Sequence, residues 1–348
     1  MSSELIIIGL FILMGLVLVL PFFVKRVEEE LEIFLFIMGI VSVSISGLWT
    51  GHIIIKAIKE PIAISLTVLL AGLIFRFLRI RIRDWTQAAI TRMGHGPFIF
   101  ILVAGLGLIS SLITAIIAAV ILAEVITFLK FDRKYEIRLV IIACYAIGLG
   151  AVLTPLGEPL ATIAVSKLKG APHYADFLYL FRLLGLWVIP AVVGLGLWAA
   201  FLKPDRTKTR STLTEDRPES YKSIGFRALK VYLFVMALLL LGTGLTPLVN
   251  QYLLQIKPGV IYWINLLSAV LDNATLTAAE ITPLMSRETI RYLLIGLLVS
   301  GGMLIPANIP NIICACKLSI KSKEWAVYGL PIGAILFLGY FLILNLVR

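Results

Sequence analysis

The sequence predicts an all-α polytopic membrane protein: an inverted-repeat architecture with two re-entrant helical hairpins, two broken transmembrane helices and about eight full spans. Three observations predict it. Hydrophobic residues make up 60% of the 348-residue chain and mean hydropathy is +1.01, against about 45–50% apolar residues in soluble domains. Several apolar runs reach the ~20 residues needed to cross a hydrocarbon core of about 30 Å. Two of these runs are interrupted by paired prolines at matching spacing, and the first follows an apolar stretch too long for a single crossing.

Residues 5–24 lack a basic leader and are long for a signal-peptide core, so they read as an uncleaved first span. Lys25 and Arg26 mark a cytoplasmic turn. Residues 33–48 form span two, which ends in a polar loop with His52, Lys56 and Lys59. Residues 61–77 form span three, which exits into a basic loop carrying Arg76, Arg79, Arg81, Arg83 and Arg92. These three spans make up an N-terminal unit, residues 1–96. A second basic group, Lys203, Arg206, Lys208 and Arg210, lies in a long polar stretch. Clustering of this kind follows the positive-inside rule and places the N-terminus outside an inner (plasma) membrane. It accounts for the net charge of +11 without nucleic acid, for which no folded basic module is present.

The next apolar run, residues 97–129, would be about 50 Å long as one straight helix. Gly105, Gly107, Ser110, Ser111 and Thr114 occupy its middle, and basic residues flank both ends: Arg92 before it, then Lys130, Arg133, Lys134 and Arg138. Like charge on both sides predicts that the chain enters and leaves on one face, as a re-entrant hairpin with a polar tip. Irregular backbone at that depth must be buried in protein or line a cavity. Residues 139–165 follow as a span broken at Gly148-Leu-Gly-Ala-Val-Leu-Thr-Pro-Leu-Gly-Glu-Pro159. Pro155 and Pro159 cannot sustain the hydrogen-bond ladder, and Thr154 and Glu158 sit inside the break. Residues 176–202 close the first repeat, 97–202. A polar cytoplasmic linker, 203–225, leads into the second repeat, 226–348. That repeat comprises a span at 228–248, a hairpin at 260–285, a broken span at 290–316 and a closing span at 326–347.

The halves echo one another. Gly150-Ala-Val-Leu-Thr-Pro-Leu-Gly-Glu-Pro159 matches Gly301-Gly-Met-Leu-Ile-Pro-Ala-Asn-Ile-Pro310 at glycine, leucine and both prolines, Pro306 and Pro310 included. Ala123-Glu-Val-Ile-Thr127 resembles Ala279-Glu-Ile-Thr282, and Ser110 precedes Thr114 by the interval that separates Ser268 from Asp272. Ile137-Arg138 and Ile290-Arg291 open the two broken spans. Counting crossings puts the ends of the two hairpins on opposite faces, the pattern of inverted repeats whose sites form at the midplane.

Asp272 lies inside the second hairpin with Asn273, Thr275 and Thr277. A carboxylate at the bilayer centre costs about 2.5–3.5 kcal/mol on insertion scales and needs a partner, a wet cavity or an ion. Asn308 and Asn311 sit at the second break, opposite Glu158 and Thr154 at the first; Thr114 is at the first hairpin tip. Hard oxygen ligands suit Na⁺ or Li⁺, and Ca²⁺ as well. Glu124 and Glu280, on the return arms, read as gating or coupling acids. No Lys, Arg or His falls in the expected interior of the hairpins or breaks, which favours a bound cation or protons at the acids. The three cysteines, Cys144, Cys314 and Cys316, lack partner zinc ligands and read as packing residues. No Gly-x-Ser-x-Gly or His-Glu-x-x-His motif suggests an enzyme, and no resident metal or cofactor is expected.

Two hairpins, each followed by a broken helix, resemble the ion transporter superfamily, which includes sodium/proton antiporters, arsenite permeases and divalent-anion symporters. Ser268-Ala-Val-Leu-Asp-Asn looks like the Asp-Asn hairpin tip of the antiporter branch. The paired Ser-Asn-Thr tips of the anion symporters are not found here. Architecture carries the resemblance more than residue identity, over residues 97–347. It looks closest to a compact group of prokaryotic cation transporters. It implies sodium (or lithium)/proton antiport by alternating access, with Asp272 as the shared site, and it implies a homodimer. The alternative is sodium-coupled symport of a small anion or carboxylate.

Overall fold

A computed structural model describes residues 3–129, 131–203, 220–253, 258–269 and 273–347. The described residues are all-helical, with no strand. Among the described residues, five helices are long and apolar enough to cross a membrane: Gly51–Ile74, His95–Ile113, Tyr179–Phe201, Tyr221–Leu248 and Ser322–Leu346. Leu31–Ser46, Ala115–Leu129 and Ile309–Leu318 are shorter apolar helices.

The N-terminal unit contains α1 (Ser3–Phe23), a short α2 (Lys25–Glu29), α3 (Leu31–Ser46) and α4 (Gly51–Met93). The left-handed Gly47 ends α3, a backbone position that glycine adopts without penalty. α4 corrects two sequence expectations. The polar loop with His52, Lys56 and Lys59 is helical, and so is the basic stretch from Arg76 to Arg92. Thr50 starts this helix, its hydroxyl accepting from the Ile53 amide. Lys56 and Glu60 then pair one turn apart at 3.7 Å, a spacing that supports a helix. Charge marks where a helix meets water, and it does not end one. At about 1.5 Å per residue, α4 is roughly 65 Å long.

The first hairpin region runs through α5 (His95–Phe100), a π-helical stretch (Ile101–Gly105) and α6 (Leu106–Ile113). It breaks at Thr114 and continues as α7 (Ala115–Leu129). The first broken helix comprises α8 (Arg133–Ala151) and α9 (Pro159–Lys167), and α10 (Tyr179–Phe201) follows. After the linker come α11 (Tyr221–Leu253), α12 (Pro258–Ile264), a 3₁₀ stretch (Asn265–Ala269) and α13 (Asn273–Glu280). The second broken helix is α14 (Arg287–Ser300) and α15 (Ile309–Leu318), and α16 (Ser322–Leu346) ends the described chain.

Two helices form the centre. α8 is buried on every side from Leu139 to Ala151, and α14 likewise from Tyr292 to Ser300. Helices apolar all round belong inside a large protein or a membrane. α6 packs on α8, α12 and its 3₁₀ extension pack on α14, and α10 and α16 cover the outside. α6 and α8 touch backbone to backbone: a side chain at Gly150 would run into the Gly107 carbonyl. Ser110 fastens the same contact, donating to Gly107 O at 2.6 Å and lying 3.1 Å from Ile147 O. Ser268 does the equivalent in the second half, where it meets Leu297 O and the Ser300 hydroxyl.

Each half-helix that follows a break leans on the opposite half of the chain. α9 packs against α13, and α15 against α7. Tyr145 of α8 crosses the same boundary, its ring filling the space above Gly302 and its hydroxyl donating to Gly329 O at 2.8 Å.

Candidate functional site

The two helix breaks are built alike. α8 ends at Ala151 and α9 begins with Pro159, capped by Glu158 in an extended conformation (φ −156°, ψ 158°). α14 ends at Ser300 and α15 begins at Ile309, capped by Asn308 (φ −148°, ψ 143°) with Pro310 in its first turn. Proline suits these positions because the first helical N–H groups have no intrahelical acceptor. Pro155 and Pro306 lie within the breaks themselves, Pro306 in a short 3₁₀ turn. Neither side chain makes the capping hydrogen bond to the first amides of its helix. Glu158 and Asn308 are therefore directed elsewhere, and the free N-terminal amides lend both helix ends a partial positive charge.

Both side chains reach one cavity of about 800 Å³. Thr114 from the first hairpin region, Ala274 from the first turn of α13, and Thr243 and Thr246 of α11 also line it. Lys56 and Glu60 contribute from α4, and Thr162 from α9. Glu158 is 7% exposed. Asn308 crosses between the halves: a methyl group on Gly148 of α8 would lie 2.8 Å from its Nδ2. Since Lys56 and Glu60 balance each other, Glu158 leaves the described lining with one net negative charge, surrounded by hydroxyls and an amide.

Thr114 carries an unusual backbone, φ 77° and ψ 148°. That region belongs almost wholly to glycine and costs of order 1–3 kcal/mol for a β-branched residue. A bond from the Ala115 amide to Gly157 O, 2.8 Å, ties this strained point to the first break. Thr154 reinforces the tie, donating to Ser111 O at 2.5 Å and accepting from the Leu156 amide.

The predicted site residues thus fall into groups. Glu158, Asn308 and Thr114 come together on the cavity. Thr154 and Asn311 are absent from its lining and instead hold the breaks: Asn311 donates to Gly301 O at 2.8 Å and Leu304 O at 2.9 Å. Asn273 lies next to the cavity-lining Ala274, 4% exposed, with its amide against Gly301. Neither Asn273 amide atom has a hydrogen-bond partner among the described residues. Asp272 lies outside the described residues, as does the Thr275 side chain.

Glu124 corrects the expectation that the interior acids lack basic partners. Its carboxylate meets Lys317 Nζ of α15 at 2.8 Å, with both side chains about nine-tenths buried. Lys167 is the counterpart at the end of α9. Its ammonium donates to Ala278 O and Ile281 O, which flank Glu280 in sequence. Each lysine stands nine residues after its capping residue, Glu158 or Asn308. Both fall just past the apolar runs read as spans, so the sequence offered no reason to place them inside. Lys56 and Glu60 escaped because they read as loop. Thr243 and Thr246 carried a signal that was passed over, two hydroxyls three residues apart in an apolar span.

A family model described as a protein of unknown function, DUF1646, matches residues 7–347. No curated protein matches the chain.

Proposed function

We propose that this chain, which belongs to the DUF1646 family, is a secondary active transporter that exchanges Na⁺ or Li⁺ for protons across an inner (plasma) membrane. One observation carries the reading: capping residues of two interrupted helices, Glu158 from one half and Asn308 from the other, open onto a single cavity. A cavity shared by two similar units can be exposed to either side as one unit rocks against the other.

In this reading, residues 95–129 and 258–280 are re-entrant hairpins of opposite orientation, and about eight spans cross the bilayer. α4 and α11 then open the two repeats, since α4 packs on α7 as α11 packs on α13. The cation takes oxygens from Glu158, Asn308, Thr114 and the carbonyls freed at the breaks, with Asp272 and Asn273 entering from the second hairpin. Asp272 enters on sequence grounds alone. Competition between a proton and the cation for one carboxylate is enough to couple their movements. Glu124, held by Lys317, acts in this scheme as a fixed contact between the halves.

Sodium-coupled symport of a small anion is the second reading, favoured by one observation. The cavity of about 800 Å³ exceeds what a bare ion fills. Proteoliposomes carrying a lumenal pH dye separate the two. Antiport predicts that external Na⁺ or Li⁺ alone dissipates an imposed pH gradient, and that Asp272→Asn and Glu158→Gln each slow this at least about tenfold, or 1.4 kcal/mol. Sodium uptake that appears only when an anion is supplied overturns antiport in favour of symport.

A further inference from the structure

The acids on the two return arms occupy matching places but have unlike neighbours. Glu124, in α7, is neutralised by Lys317 at 2.8 Å. Glu280, the last residue of α13, is 3% exposed, and neither of its carboxyl oxygens has a hydrogen-bond partner among the described residues. Lys167 comes close and does not bond to it, giving its ammonium protons to the Ala278 and Ile281 carbonyls. A second orphan lies nearby. Asn265, 1% exposed, donates its amide N–H to Leu293 O at 3.2 Å, while its Oδ1 has no partner among the described residues. The Asn265 amide is near enough to Glu280 to influence its carboxyl, though outside hydrogen-bond geometry in this conformation.

An ionised carboxylate with two bare oxygens in such a place is costly, because buried charges must be paired. Besides Lys167 of α9, the elements packed against α13 carry Arg287, Glu288 and Arg291 on α14 and Lys222, Arg227 and Lys230 on α11, and Glu280 bonds to none of them. Arg291 lies over the Trp187 ring at 5.3 Å, its Nε without a hydrogen-bond partner among the described residues, and Glu288 shares the first turn of α14 with Arg287. A carboxylic O–H answers both orphans, since it neutralises Glu280 and offers a donor to Asn265 Oδ1.

We propose that Glu280 and Asn265 form a proton-binding site, separate from the cavity, with Glu280 carrying the proton in this conformation. On releasing it, the carboxylate becomes the natural acceptor for Lys167, which then leaves the Ala278 and Ile281 carbonyls. The resulting Lys167–Glu280 contact mirrors Lys317–Glu124, so binding or losing one proton switches a contact between the halves. The proton assignment stands without the transport reading, whereas its part in coupling rests on that reading.

Infrared difference spectroscopy of the full chain in liposomes tests the assignment. Subtracting the Glu280→Gln spectrum from that of wild type, at neutral pH, should show the carbonyl stretch of one protonated carboxylic acid, and Glu124→Gln should show carboxylate bands only. Carboxylate bands alone for Glu280→Gln overturn the proposal. If that variant does not fold, Asn265→Leu decides: the acid carbonyl band shifts if Asn265 is its partner, and an unshifted band overturns the site. In proteoliposomes, Glu280→Gln should bind sodium as wild type does but lose at least tenfold in sodium-driven proton flux. Wild-type proton flux removes Glu280 from coupling. A wild-type chain that moves no sodium yet shows the acid band sinks the transport reading and leaves the proton site standing.

Discussion

The first break, between α8 and α9, and the second, between α14 and α15, share a construction and differ in chemistry. Each interrupts a central buried helix, resumes with proline in the first turn, and presents its capping side chain to the cavity. One cap is Glu158 and the other Asn308. The lysine ending one half-helix closes an ion pair with Glu124, while its equivalent rests on backbone carbonyls beside Glu280. Duplicated backbones thus support one charged and one neutral cap, and one locked and one unlocked contact. Similarity gives the two breaks one geometry, and its violation leaves the cavity a single acidic cap rather than two.

The comparison breaks most sharply at the two lysines. Removing Lys317 as Lys317→Ala strands a buried carboxylate, which should destabilise the protein by about 3–5 kcal/mol. Lys167→Ala loses hydrogen bonds to carbonyls, worth about 1.5–3 kcal/mol in all because the donor is charged. Thermal unfolding in detergent should rank Lys317→Ala as the more damaging. Equal losses would mean that the two contacts are equivalent after all.

A smaller effect is expected at Gly148, where a methyl group would meet Asn308 Nδ2 at 2.8 Å. Gly148→Ala should turn the neutral cap out of the cavity and weaken sodium binding about tenfold, or 1.4 kcal/mol, by calorimetry. Its unfolding temperature should change little, since the amide sits at the end of a side chain that can rotate. The smallest stability change is expected at the strained residue. Thr114→Gly relieves about 1–3 kcal/mol of backbone strain and adds roughly 1 kcal/mol of unfolded-state entropy, so stability should hold or rise slightly. Sodium affinity should still fall with the lost hydroxyl. A large loss of stability would show that the threonine side chain, and not the surrounding packing, holds this turn.

The helices and both interruptions were legible because apolar length and proline act locally. Pro155, Pro159, Pro306 and Pro310 mark the breaks wherever the chain places them. Register was harder. Matching prolines sets Glu158 opposite Ile309, whereas the capping geometry sets it opposite Asn308, because α15 admits one residue before its proline and α9 none. The long α4 was hidden by Lys56 and Glu60, which look like loop until a cavity is there to receive them. Pairing of Glu124 with Lys317 joins residues 193 positions apart, and no local pattern encodes such a contact. Thr154 and Asn311 were found as polar residues at the breaks. That they brace the backbone follows only from which carbonyls lie within reach.

The contact between Gly107 and Gly150 bears on which parts of the fold can shift independently. With no Cβ on either residue, an arm of the first hairpin region and the first broken helix meet backbone to backbone, pinned by Ser110. Parts joined so closely behave as one rigid unit, larger than any one helix, and any sliding within the fold is left to seams where side chains, rather than backbones, meet.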